Sequence, residues 1–168
     1  MRKIELILKI IKERRSVRKY ASKRPSKAQI KKILEAGRWA PSGLNNQPWR
    51  FKVVTDSLLK EELARLTVDF EIIISAPVLI CVFLNKKDSY SHVKDLLAVG
   101  ACIQNMLLSI QCQGLSGCWL GEILNKKEKV NAVLRLKKEN ELMAVIALGS
   151  SDEKICKSTR KPLKKLLI

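Results

Sequence analysis

The sequence predicts an α+β fold in which helices pack on a central sheet, and three observations support this prediction. The chain has 168 residues, of which 46% are hydrophobic and 29% are charged, which suits one hydrophobic core and one domain over residues 1–168. Segments with the helical spacing of apolar residues are interspersed with short apolar runs rich in β-branched residues. Their order lacks the strict strand–helix alternation of parallel sheets, so helices and strands are mixed.

Five segments are predicted to be helices. The second begins at a capping box formed by Ser26 and Gln29 and ends near Arg38, shortly before Pro41. The longest ends at Gly114, a residue type suited to the C′ position. The predicted helices cover residues 3–12, 27–38, 57–67, 94–113 and 126–134, and the apolar residues 72–75 extend the third helical region.

Four apolar runs are predicted to be strands. The run Val78–Leu84 is continuously apolar and rich in β-branched residues, which is typical of a strand that is buried on both faces. The other three predicted strands cover residues 51–55, 118–120 and 142–148.

The charge and the cysteine content limit the class of protein. The formal net charge is +17, which fits a nucleic acid, an anionic lipid or a phosphorylated ligand as partner, or else a lysine-rich solvated surface. The basic residues are scattered along the chain, which favours the solvated surface. Five cysteines without a C-x-x-C pair, and one histidine, argue against a zinc site and are typical of the reducing cytoplasm.

Residues 96–121 form an uncharged stretch that is long enough to cross a membrane. Polar residues interrupt this stretch, among them Gln104 and Asn105, and Gly114 and Gly117 fall in its second half. We therefore interpret it as a buried helix, a turn and a buried strand. Charged residues within positions 1–15 also exclude the apolar region of a secretory signal.

The first candidate binding segment is residues 14–20, Arg-Arg-Ser-Val-Arg-Lys-Tyr, here named the arginine segment. In an extended chain alternate residues share a face, so Arg14, Ser16 and Arg18 would point the same way. Two guanidinium groups around a hydroxyl can hold a phosphate through charge-assisted hydrogen bonds. A basic run beside a helix is also commonly plain solvated surface, so the segment alone leaves both interpretations open.

The second candidate segment is residues 40–51, Ala-Pro-Ser-Gly-Leu-Asn-Asn-Gln-Pro-Trp-Arg-Phe. It concentrates short polar side chains and backbone amides in a tight loop, which can bind the edge of a planar heterocycle. Pro48 is expected to hold Gln47 in an extended conformation. The alternative interpretation is a helix–strand connection made of turn residues and anchored by a tryptophan.

The third candidate segment is residues 114–121, Gly-Leu-Ser-Gly-Cys-Trp-Leu-Gly. Glycines on both sides of a short apolar strand would allow the backbone to approach a ligand closely. The alternative is that Gly114 only caps a helix and Gly117 only forms a turn.

These three segments, together with residues 103–108 (Ile-Gln-Asn-Met-Leu-Leu), resemble in content and order the nitroreductase family of flavoenzymes. The resemblance runs across nearly the whole chain, and residues 40–51 are its most specific part. It implies a mixed, mostly antiparallel central sheet flanked by helices, and a homodimer that binds FMN non-covalently between its subunits. It also implies an enzyme that takes hydride from NADH or NADPH and reduces nitroaromatics, quinones or similar acceptors in a ping-pong cycle.

The resemblance also implies roles for particular residues. One subunit would direct Arg14 and Ser16 to the FMN phosphate and Arg18 to the pyrimidine end of the ring, while its partner would supply the loop of residues 41–47. Arg160 would complete the phosphate site. No side chain is expected to act as a dedicated acid or base, because the flavin carries the redox chemistry, and His92 is expected to be a loop residue. The implied cofactor-binding residues are Arg14, Arg15, Ser16, Arg18, Pro41, Ser42, Gly43, Asn45, Gln47, Leu120, Gly121 and Arg160.

Two features depart from longer members of the family. About ten residues separate the strand Val78–Leu84 from the long helix, so a lid over the flavin is expected to be reduced or absent. The chain ends eight residues after Arg160, which leaves open whether a C-terminal strand is exchanged between subunits.

Two alternative functions also stay open. One is a flavin-using relative with another reaction, either reductive dehalogenation or flavin breakdown. The other is a basic nucleic-acid-binding module, although eight aromatic residues give it few stacking surfaces.

Overall fold

The computed structural model describes residues 3–153 and 158–168, and this part of the chain contains one four-stranded sheet with helices on both faces. The sheet has the order β1-β2-β4-β3, and all three strand pairings are antiparallel. The predicted α+β class with a mostly antiparallel sheet is therefore confirmed. The strands are β1 (Trp49–Val54), β2 (Val78–Asn85), β3 (Ser116–Leu120) and β4 (Asn140–Gly149).

The helices begin and end largely where the capping residues predict. Ser26 Oγ accepts a hydrogen bond from the Gln29 amide while the Gln29 side chain accepts one from the Ser26 amide, which completes the capping box. Gly114 follows the longest helix with φ of 65°, a left-handed conformation that suits glycine. The helices are α1 (Lys3–Glu13), α2 (Lys27–Arg38), α3 (Ser57–Ala64), α4 (Phe70–Ser75), α5 (His92–Cys112) and α6 (Lys127–Val133).

Some predicted boundaries are wrong. The third helix stops at Ala64 instead of continuing to residue 67, and residues 72–75 belong to the separate helix α4. The chain turns between them because Thr67 and Val68 donate hydrogen bonds to the Glu122 carboxylate, which a continuous helix would prevent. The predicted helix 126–134 is confirmed as α6 to within one residue at each end, and a 3-10 turn over Glu122–Lys126 that was not predicted precedes it. His92 is the first residue of α5 and not a loop residue.

Two hydrophobic clusters lie on opposite faces of the sheet. Helices α3, α4 and α6 cover one face, and α2 and α5 cover the other. Helix α5 is long and apolar enough to cross a membrane by length and composition, but it packs between α2 and the sheet, as the interpretation of residues 96–121 predicts. Gly37 allows this packing, because a Cβ at this position would lie 2.8 Å from Met106 Cγ.

Candidate functional site

The arginine segment runs extended beside β3. The Val17 amide donates a hydrogen bond to the Gly117 carbonyl at 3.2 Å, and Val17 is buried while Ser16 and Arg18 are exposed. The Tyr20 hydroxyl, which is buried, donates to the Val17 carbonyl at 2.6 Å and so holds the segment in place. Burial raises the pKa of Tyr20, which keeps this hydroxyl protonated. The predicted alternation of faces is thus present.

Three residues of the arginine segment influence one group of β3, the thiol of Cys118. Burial raises the pKa of Cys118, whereas Arg18, a hydrogen bond with Ser16 and the charge of Arg14 act to lower it. Asp69 is also close enough to raise this pKa. The guanidinium of Arg18 also donates a hydrogen bond to the Ser16 carbonyl at 3.4 Å, and Ser16 forms a parallel bridge with Gly117, the residue before Cys118.

The other two predicted arginines make different contacts. Arg15 donates hydrogen bonds to the carbonyls of Lys12, at 2.5 Å, and Arg14, at 2.9 Å, which closes the C-terminal end of α1. Arg160 is exposed, and its guanidinium donates to the Ser158 hydroxyl and the Thr159 carbonyl within the same tail. The assignments of Arg15 to the cofactor and of Arg160 to its phosphate therefore remain predictions.

The carboxylate of Glu153 is a neighbour of the arginine segment that the motif analysis missed. It accepts hydrogen bonds from the backbone amides of Arg18, at 3.0 Å, and Lys19, at 3.2 Å. The Ser151 hydroxyl donates to the Lys19 carbonyl at 2.6 Å. The chain that follows β4 thus also holds the backbone of the arginine segment.

Residues 41–47 form a strained turn between α2 and β1, here named the amide loop. Leu44, Asn45 and Gln47 have φ of 54°, 52° and 47°, which is the left-handed region. Such a conformation costs a non-glycine residue about 1–3 kcal/mol. The expectation that Pro48 holds Gln47 extended is wrong, because the Ser42 hydroxyl oxygen accepts a hydrogen bond from the Gln47 amide at 3.0 Å and curls the loop.

A buried carboxylate on α5, Asp95, anchors the amide loop and was missed by the sequence analysis. Asp95 Oδ1 accepts a hydrogen bond from Asn46 Nδ2 at 2.8 Å, and Oδ2 accepts from the Ser89 hydroxyl at 2.6 Å. The amides of Tyr90 and Ser91 also donate to Oδ2. Burial alone would raise the pKa of Asp95, but these hydrogen bonds outweigh it and hold the pKa below its ordinary value. The sequence held one indication of this role, because Asp95 is an acidic residue in the first turn of a helix whose other buried residues are mostly apolar.

The end of β3 presents backbone at an open position. A Cβ added to Gly121 would meet no atom within 4 Å, and the Leu120 side chain is buried, so only main chain of these two residues faces outward. Glu122 fixes the following turn by accepting hydrogen bonds from the Thr67 hydroxyl at 2.5 Å and the Val68 amide at 3.2 Å. These hydrogen bonds lower the pKa of Glu122, so its carboxylate stays charged.

Metal-ligating groups do not cluster in the described part of the chain: residues 3–153 and 158–168 contain no group of three or more His, Cys, Asp or Glu side chains that could hold a metal ion. His92 lies on the surface, where its Nε2 is 3.3 Å from the Glu141 carboxylate. The candidate chemistry is therefore that of the arginine segment, the amide loop and the end of β3.

Comparison with known proteins agrees with these features. The model of the nitroreductase family matches residues 11–71 and 60–150. A protein of Archaeoglobus fulgidus, provisionally named NADH dehydrogenase/NAD(P)H nitroreductase, is 32% identical over 156 residues, which cover 90% of this chain and 89% of that protein. An iodotyrosine deiodinase of Thermotoga neapolitana is 28% identical over 137 residues, which cover 67% of this chain and 72% of that protein.

A solved structure gives the same answer. The crystal structure of a protein from Desulfovibrio desulfuricans, described as a nitroreductase in complex with FMN, superposes with a TM-score of 0.93. It is 41% identical, and the match covers 96% of this chain and 95% of that one. The resemblance inferred from the motifs is confirmed, since both the family model and these relatives span most of the sequence: this chain belongs to the nitroreductase family.

Proposed function

We propose that this protein is an FMN-dependent oxidoreductase that takes hydride from NADH or NADPH and reduces nitroaromatics, quinones or similar acceptors by a ping-pong mechanism. The observation that carries the proposal is the extended course of the arginine segment beside β3, where Ser16 and Val17 pair with Gly117, because the end of the same strand exposes the backbone at Gly121. The FMN-bound relative that is 41% identical supports the cofactor, and the relative named NAD(P)H nitroreductase supports the electron donor.

The residues present fit FMN on two grounds. Its phosphate is an anion, and the arginine segment offers it the guanidinium group of Arg14 and the hydroxyl of Ser16, each of which can contribute a charge-assisted hydrogen bond of about 1.5–3 kcal/mol. Its ring system needs close approach to the protein, and Gly121 leaves the space that a Cβ would fill. We assign Arg14 and Ser16 to the phosphate and Arg18 to the pyrimidine end of the ring.

The chain's own residues bind and orient the cofactor instead of transferring protons. When bound, FMN would supply the two-electron redox chemistry that connects the nicotinamide with the second substrate. Arg18 would place positive charge beside the pyrimidine end, where it stabilises the negative charge that develops on reduction. The main chain of Leu120 and Gly121 would border the central ring.

A homodimer is part of the proposal, because the amide loop is assigned to the FMN of the partner subunit. Helix α1 has no buried residue, and its apolar residues Ile4, Ile7 and Ile11 are 44–59% exposed. Leu97 on α5 is 72% exposed. Apolar surface of this extent is typical of an interface between proteins, and a second copy of this chain would cover it. The free cysteines suit a reducing cytoplasm.

Reductive dehalogenation is a second candidate, favoured by the relative named iodotyrosine deiodinase. In this chain only residues 86–91 connect β2 to α5, which is short for a lid that would enclose a halogenated ring. We therefore prefer open-site acceptors such as nitroaromatics and quinones.

The first experiment is the absorption spectrum of the purified protein. We expect a yellow protein that releases FMN, and not FAD, on denaturation. A colourless protein that takes up no FMN on reconstitution would contradict the proposal.

Anaerobic titration then tests the donor and the acceptor. We expect NADH or NADPH to bleach the flavin, and added quinone or nitroaromatic to restore its colour. If iodotyrosine restores the flavin colour and neither quinone nor nitroaromatic does, the result would favour a reductive dehalogenase instead. The exposed Arg65→Ala variant, which alters only an ion pair with Glu61 on α3, serves as the control and should behave as wild type.

A further inference from the structure

The amide loop needs an external support, because its conformation is unfavourable for its own residues. Three non-glycine residues, Leu44, Asn45 and Gln47, occupy the left-handed region. Leu44 is 86% exposed, so packing of its side chain on this chain does not hold it there. Strain of this kind persists only where the surroundings fix it, and it commonly accompanies a binding function.

The support comes from one buried carboxylate. Asn46 Nδ2 donates both to Asp95 Oδ1 at 2.8 Å and to the Asp88 carbonyl at 2.9 Å, which ties the centre of the amide loop to α5 and to residues 86–91. Among the described residues, Asp95 is the one charged side chain that is fully buried. A buried carboxylate needs hydrogen-bond donors at its oxygens. The donors to Asp95 come from two segments, the amide loop and residues 89–91.

The ring of Tyr90 covers the amide loop at Gly43. A Cβ added to Gly43 would lie 1.8 Å from the Tyr90 hydroxyl oxygen and 2.6 Å from the ring carbon that carries it, so the ring rests directly on Gly43. The Tyr90 amide is itself a donor to Asp95 Oδ2 at 3.1 Å. Asp95 therefore orients the loop through Asn46 and the covering aromatic residue through its backbone.

We propose that Asp95 is a positioning residue for the cofactor: through Asn46 and Tyr90 it holds the amide loop in the one conformation that can bind the edge of the flavin ring. The proposal rests on the proposed function and adds a specific role to a residue that does not touch the cofactor. It concerns the ring and not the phosphate, which belongs to the arginine segment.

The Asp95→Asn variant tests the role with little change in volume. An amide at this position has one acceptor oxygen, while Asn46, Ser89, Tyr90 and Ser91 together present four donors, so at least one donor faces another donor. We expect the loop to lose its fixed conformation and the affinity for flavin to fall by about tenfold.

The measurement compares FMN with riboflavin, which has the same ring and no phosphate. Both are titrated into deflavinated protein and followed by quenching of flavin fluorescence. Asp95→Asn is expected to weaken both ligands by the same factor and to shift the absorption maximum of the bound flavin. Arg14→Ala is expected to weaken FMN much more than riboflavin.

Lys60→Met is the control for general destabilisation. Lys60 Nζ donates to the Ala76 carbonyl at 2.8 Å, on the other face of the sheet from Asp95, so its loss lowers stability without touching the amide loop. If Asp95→Asn lowers flavin affinity no more than Lys60→Met does at a similar loss of thermal stability, the proposal is overturned.

Asn46→Ala decides the question if Asp95→Asn does not fold, because it removes the links from the loop to Asp95 and to the Asp88 carbonyl and leaves the bonds of Asp95 with residues 89–91 in place. A wild-type affinity of Asn46→Ala for both flavins would then overturn the proposal, and a parallel loss would support it. Failure of the proposed function is distinguishable, since wild-type protein would then bind neither FMN nor riboflavin.

Discussion

The arginine segment and the amide loop are both short and polar, yet they are held in opposite ways. The arginine segment is held through its own main chain: the Val17 amide donates to the Gly117 carbonyl, and the amides of Arg18 and Lys19 donate to the Glu153 carboxylate. Side chains hold the amide loop, through Asn46 and Asp95.

The difference shows how each region suits its proposed ligand group. Where backbone pairing fixes a segment, its charged side chains stay available, and Arg14 and Arg18 can turn toward an anion. Where side chains fix a loop, its backbone can take an unusual course, as the left-handed residues show. A phosphate needs charge, whereas the edge of a heterocycle needs directed hydrogen bonds.

The largest effect is expected from removing charge from the phosphate side. Arg14→Ala combined with Arg160→Ala should weaken FMN binding about 100-fold, since two charge-assisted hydrogen bonds contribute about 3 kcal/mol or more. Riboflavin binding should barely change. FMN retention on dilution, with the thermal midpoint in excess FMN, measures this effect. Full flavin occupancy of the double variant on dilution would show that the phosphate assignment is wrong.

An intermediate effect is expected from loosening the backbone of the arginine segment. Tyr20→Phe removes the hydroxyl that donates to the buried Val17 carbonyl and should lower the free energy of unfolding by about 1–2 kcal/mol. Urea unfolding measures the change. Tyr90→Phe is the matched control, because Tyr90 is exposed, and its change should stay within about 0.5 kcal/mol. Equal effects of the two variants would mean that the Tyr20 hydroxyl does not hold the segment.

The smallest effect is expected on acidification, which should reach the amide loop through Asp95. The folded-state pKa of Asp95 lies below its unfolded value of about 3.9. Its contribution to stability is therefore complete above the unfolded pKa and is lost as the pH falls through the lower folded pKa. The stability difference between wild type and Asp95→Asn should shrink below about pH 4.

Thermal unfolding at several pH values measures this difference. The difference in stability between wild type and Tyr20→Phe should stay constant over the same pH range, because the raised pKa of Tyr20 keeps its hydroxyl protonated throughout. A gap between wild type and Asp95→Asn that does not change with pH would show that the Asp95 charge does not stabilise the loop.

The sequence was sufficient for features that depend on neighbouring residues. The capping box at Ser26, the left-handed Gly114 and the buried strand β2 all follow from local spacing and composition. The alternation of faces in the arginine segment also follows, because it needs only an extended chain.

Features that depend on distant residues were not predictable in the same way. The break between α3 and α4 depends on Glu122, which is more than fifty positions away from Thr67. The conformation of Gln47 depends on the Ser42 side chain, which outweighs the local effect of Pro48.

The sequence alone determined the family, the α+β class and the candidate groups for binding an anion and a planar ring. Motif spacing and apolar periodicity are properties of residues that are close to one another in sequence. Only the tertiary structure decided that Asp95 supports the amide loop and that Glu153 braces the arginine segment. The physical reason is that a buried or bridging carboxylate is defined by its hydrogen-bond donors, and chain folding brings those donors from Asn46 and Arg18, far from either carboxylate in sequence.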